Sequence, residues 1–144
     1  MTNDLDFDLY ANAITRLNVG FSKTGKLIQN NARFLAHGMH KEDVEYAISR
    51  IIPDFEESYE DINKFYKELF KCLNDENTDI EEFKPFLEHA VESFPKYLED
   101  LNQTVANVSE LKINTDELLV NIGKIIKVFE YILILSQKTL NEYK

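Results

Sequence analysis

Four stretches of this chain place apolar residues at alternating steps of four and three. The first is Tyr10, Ile14, Leu17, Phe21, Thr24, Ile28, Asn31 and Leu35, the second Phe55, Tyr59, Ile62, Tyr66, Leu69 and Leu73. The third is Leu87, Val91, Phe94, Leu98, Leu101, Val105 and Val108, the last Leu119, Ile122, Ile126, Phe129, Leu133, Ser136, Leu140 and Tyr143. Such spacing holds one side of an α-helix apolar turn after turn, as in bundle and coiled-coil seams. It predicts an all-α fold: an elongated antiparallel four-helix bundle with coiled-coil-like packing, one domain over residues 1–144.

Local signals set the boundaries. The first helix runs from Asp4 or Leu5 to Ala36 and stops at Gly38, a residue suited to a helix C-terminus. A second starts near Lys41, with Glu42 and Asp43 at the positive end of its dipole. Pro53 interrupts it, and a kink there fits the apolar register as well as a break. The turn Asn74–Asn77 follows, and Thr78 with Glu81 reads as a capping box for the third element. Pro85 suits a first turn, whereas Pro95 falls mid-stripe and predicts a bend. Asn114 with Glu117, or Thr115 alone, caps the last helix. Short linkers between these elements predict that consecutive helices are antiparallel neighbours. Phe94, Leu98, Leu101, Ile122, Ile126 and Phe129 are the expected core.

Composition narrows the function classes. Hydrophobic residues make up 44% and charged residues 29%, which suits neither a disordered nor a membrane protein. The window Leu118–Leu135 is the most apolar, but Asn121, Lys124, Lys127 and Glu130 interrupt it, so insertion into a bilayer is not expected. One cysteine, Cys72, excludes an internal disulfide, and the acidic start MTNDLDFDLY lacks the basic-then-apolar order of a signal peptide. The expected location is the cytoplasm.

No catalytic or cofactor motif survives inspection. Gly20-Phe21-Ser22-Lys23-Thr24-Gly25-Lys26 has the glycine and lysine spacing of a phosphate loop, but Leu27 stands where magnesium needs a hydroxyl. The apolar stripe also crosses this segment without changing phase. His37, His40, Glu42 and Asp43 form the one cluster with metal-ligand chemistry, yet they sit at a helix junction where polar residues gather anyway. A di-iron bundle needs paired Glu-x-x-His motifs, and Phe86 and His37 occupy the positions three before His89 and His40. Cys72 is surrounded by Leu69, Phe70 and Leu73, a setting for an inert thiol. No enzyme activity, metal or cofactor is expected.

Charge is segregated along the chain. Residues 1–41 hold five basic and three acidic side chains, residues 42–100 six and eighteen, and residues 101–144 five and five. The net charge of −10 and only three arginines argue against direct nucleic-acid binding. Lys23, Lys26, Lys124 and Lys127 would join as a small basic patch only if the first and last helices were neighbours. Concentrating the acids in the middle crowds like charges, which costs stability. That points to a protein partner, a basic one, meeting Glu56, Glu57, Glu60 and Asp61 together with Glu81, Glu82, Glu88 and Glu92. The expected role is a non-enzymatic interaction module: a small acidic inhibitor or immunity-type protein that blocks a basic, nucleic-acid-binding target. The alternative is a structural or assembly adaptor that forms a homodimer through surplus apolar residues of its last helix, Ile125, Val128, Ile132 and Leu135.

Overall fold

Polar residues begin and end the helices much as their chemistry dictates. In the computed structural model, which describes residues 5–37, 41–111 and 113–143, α1 is Phe7–His37, α2 Lys41–Leu73, α3 Lys84–Ser109 and α4 Asp116–Tyr143. Side chains are described for residues 5–30, 42–111 and 113–143. The Asp6 carboxylate accepts from the N–H of Asp8 at 2.9 Å, and the Asn114 side chain accepts from that of Asp116 at 3.0 Å. Each satisfies a donor that the first helical turn leaves without a partner.

The third element opens differently from the capping box expected. Asp79, not Thr78, supplies the cap: its Oδ1 accepts from the N–H of Glu81, 3.1 Å away, and starts a short 3-10 turn over Ile80–Glu82. The Thr78 hydroxyl is buried without a hydrogen-bond partner. Pro85 then lies in the first turn of α3, where its missing N–H is not needed. Helices α2 and α3 continue through Pro53 and Pro95 as single elements. Both rings lie on the exposed side, where a carbonyl deprived of its donor is open to water.

The principal packing partners are α1 with α2, α2 with α4, and α4 with α3, while α1 meets α3 along a narrower seam. Along α1 and α2 the contacts run in opposite order. Phe7 meets Phe65, Ala13 accepts a buried hydrogen bond from Ser58, and Lys23 meets Asp54. Helices α2 and α3 touch through Phe65 and Phe86 but are not principal neighbours. The expectation that consecutive helices always pack side by side therefore fails at this junction. The chain crosses from one corner of the bundle to the opposite one through residues 74–83, which put the 3-10 turn between the two helices.

Aromatic rings fill the middle. Phe94 stacks on Phe129 at 4.8 Å, with Tyr97 edge-on to Phe129, and Tyr10, Phe65 and Phe86 extend the cluster. Phe94, Leu101, Ile122 and Phe129 are buried as expected, while Leu98 and Ile126 are partly buried against the same core. Among the described residues no helix is long and apolar enough to cross a membrane.

Candidate protein-interaction surface

The first glycine of the phosphate-loop-like segment has a packing explanation. Gly20 lies against the ring of Phe55, so close that a Cβ at this position would stand 2.8 Å from Phe55 Cζ. Thr24 turns its hydroxyl inward to the Gly20 carbonyl at 2.7 Å, and the segment is continuous helix. Lys23 reaches across to α2 and holds Asp54 Oδ2 at 2.7 Å. Arg16 lies 3.8 Å from the other Asp54 oxygen and 2.9 Å from Glu57. Asp54, with 7% of its side chain exposed, is thus enclosed between the two cations. These polar groups hold α1 on α2.

His89 has the only described histidine side chain. Its Nε2 lies 3.1 Å from the Tyr10 hydroxyl, and its Nδ1 lies 3.4 Å from Ser93 Oγ. The arrangement links the half-buried tyrosine to the surface. Burial, with a smaller effect of Tyr97, pushes the Tyr10 hydroxyl far above the ordinary tyrosine range, so it carries its proton and cannot act as the acidic member of a triad. The metal cluster considered from sequence lies largely outside the described residues, since His40 and the His37 side chain are among those not described. Among the described residues no three His, Cys, Asp or Glu side chains gather as a metal-binding group.

The acidic residues separate into two groups. Glu56, Glu57 and Glu60 are exposed on one stretch of α2, with Asp61 half-buried beside them. Burial raises the Asp61 carboxyl above the usual aspartate range, and the neighbouring charges of Glu60 and Glu57 push it further the same way. Glu81 and Glu82 belong to the 3-10 turn, and Glu88 and Glu92 are exposed on α3. Glu81 and Glu88 line a groove of about 770 Å³ with Lys84, Val91, Leu140 and Tyr143, between the start of α3 and the end of α4. Because α2 and α3 hold opposite corners, the eight acids do not form one surface.

The apolar surplus of the last helix is also distributed otherwise than expected. Ile125, Val128 and Ile132 are buried, and Leu135 is partly buried against the core. Helix α4 packs on both α2 and α3, so it needs an apolar arc wider than a single seam provides. Ile125, Val128 and Ile132 are thus taken by the chain's own core and withdrawn from any contact with a second chain. Among the exposed large apolar residues, Phe70 (49% exposed), Val120 (56%), Tyr131 (50%) and Ile134 (61%) lie on α2 and α4. Tyr66 joins two of these, Phe70 and Tyr131, across the α2–α4 seam, 6.2 Å from the first ring and 5.8 Å from the second.

This face went unread in the sequence. Its signal was the residues just off the stripes: Phe70 follows Leu69, and Val120, Tyr131 and Ile134 share one row of the last helix with Lys124, Lys127 and Lys138. The conditional basic patch does not assemble, since α1 and α4 are not principal neighbours. Lys23 and Lys26 instead flank a small groove with Arg50 over Leu27, Ala47 and Ile51, while Lys124 lies 5.4 Å over the Tyr59 ring. No protein-family model, curated protein or solved structure matches this chain.

Proposed function

We propose that this chain is a non-enzymatic interaction module, a small acidic inhibitor or immunity-type protein of the cytoplasm that occupies a basic surface on its target. The observation that carries this reading is the run on α2 of exposed Glu56, Glu57 and Glu60 with half-buried Asp61 beside them. Four carboxylates within two turns repel one another, and Asp61 is raised first by burial and then by the charges of Glu60 and Glu57. A cationic partner relieves the repulsion, speeds encounter and excludes acidic competitors. The supporting architecture is a four-helix bundle in which α2 runs antiparallel to α1 but parallel to α4, against the all-antiparallel order expected, and continues through Pro53, which gives α2 a long outer face. Glu81, Glu82, Glu88 and Glu92 belong to a separate surface and take no part in this contact.

The test replaces Glu56, Glu57, Glu60 and Asp61 with lysine and compares capture of partners from the native host by mass spectrometry. Wild-type protein should retain a basic protein at low salt and release it as ionic strength rises. The folded variant should retain none of it. Equal capture by both proteins sinks the acidic-face reading. Capture insensitive to salt favours instead the adaptor reading, with contact through Val120, Tyr131 and Ile134.

A further inference from the structure

The outer row of α2 on the side of α4 reads Glu56, Glu60, Asn63, Lys67, then Phe70 with Lys71, at steps of four and three. Every charged member is exposed. The row is acidic in its first half and basic in its second. About the midpoint between Asn63 and Lys64, Glu56 precedes by as many residues as Lys71 follows, and Glu60 by as many as Lys67. A row with this antisymmetry is complementary to itself run backwards.

From this register we infer that the α2–α4 face binds a second copy of the chain, in a two-fold dimer with the two α2 helices running in opposite directions. Glu56 and Glu60 of one protomer lie level with Lys71 and Lys67 of its partner, and symmetry makes each pair occur twice. On α4 the level of Asn63–Lys64 falls near Val128, because Tyr59 meets Lys124 and Tyr66 meets Tyr131. The same two-fold operation brings Lys127 level with the partner's Glu130. Phe70, Tyr131 and Ile134 supply apolar area, which charge pairs at a rim cannot replace.

The dimensions suffice. Residues 53–73 of α2 span about 30 Å at ~1.5 Å per residue, and two helices side by side are about 20 Å wide, giving roughly 600 Å² before side-chain relief. That approaches the roughly 800 Å² per partner of a standard interface. Glu56 and Glu60 serve both this contact and the proposed target, so the dimer and the target complex exclude each other. The dimer does not depend on the target reading, because it is measured with purified chain alone.

The experiment uses two charge-reversed variants, E56K/E60K and K67E/K71E, with helix content checked by circular dichroism. Sedimentation velocity over a concentration series at low salt should show a wild-type monomer–dimer equilibrium. In about 1 M salt, where the Debye length falls to about 3 Å, dissociation should increase. Each variant alone should bind itself at least about tenfold more weakly, since every facing α2 pair becomes like-charged. An equimolar mixture of the two variants should recover the dimer, because the all-basic row of one then faces the all-acidic row of the other. A strictly monomeric wild type overturns the proposal, as does self-association of each variant at wild-type strength, or a mixture no more associated than its parts.

Discussion

Gly20 and Gly25 occupy the same helix five residues apart, and alanine should act on them with opposite sign. At either site alanine raises helix propensity by about 1 kcal/mol. At Gly25 nothing lies within 4 Å of the added Cβ, so that gain should appear in full. At Gly20 the Cβ would stand 2.8, 3.0 and 3.1 Å from Phe55 Cζ, Cε2 and Cε1. The Phe55 ring is fully buried, with Phe21 edge-on at 6.3 Å, so it has no solvent to move into. Overpacking of this kind costs about 1–3 kcal/mol, which outweighs the propensity gain and leaves a net loss of about 1 kcal/mol. Urea unfolding followed by far-UV circular dichroism should therefore separate Gly20→Ala from Gly25→Ala by about 2 kcal/mol. Phe55→Leu removes the ring, and in that background Gly20→Ala should lose most of its penalty, a coupling of about 1 kcal/mol. If Gly20→Ala stabilises the wild type as much as Gly25→Ala does, the close approach of Gly20 to Phe55 is not what shapes this interface.

Three further outcomes are expected. Phe129→Ala should cost about 3–5 kcal/mol in the same unfolding assay, because the ring is fully buried between Phe94 and Tyr97; a loss below ~1 kcal/mol would contradict that packing. Ser136 is fully buried with its hydroxyl unpartnered, so Ser136→Ala should stabilise by about 1 kcal/mol, and a destabilised variant would mean that the hydroxyl has a partner. The raised Tyr10 pKa means the folded chain keeps a proton that the unfolded chain releases above about pH 10, so stability falls as pH rises past that value. Tyr10→Phe should make the alkaline decline shallower, and an unchanged slope between the two proteins would assign the decline to other groups.

Helix number, helix class and the junctions near 37–41, 74–79 and 111–115 were legible in the sequence. Apolar periodicity and the polar residues at 74–79 and 114–116 act over one or two turns, and each is a local property of the chain; the helix stop expected at Gly38 lies outside the described residues. Rejection of the phosphate loop was legible for the same reason, since the stripe runs unbroken from Leu17 through Phe21 and Thr24 to Ile28. The cap at Asp79 was missed because Thr78 and Asp79 offer the same chemistry one residue apart, and backbone geometry selects between them.

Which helices are neighbours was not legible, and the surfaces depend on it. The excess of acids over residues 42–100 is continuous in sequence, but α2 and α3 stand at opposite corners, so space divides it. Likewise Ile125, Val128 and Ile132 are surplus to a helix with one partner and necessary to α4, which has two. Periodicity reports how wide an apolar arc a helix carries, whereas the number and direction of the neighbours that cover it arise from contacts between distant parts of the chain. Only the tertiary structure therefore decided that Tyr131, Ile134 and Phe70 stay outside, beside the row of acids and lysines on α2.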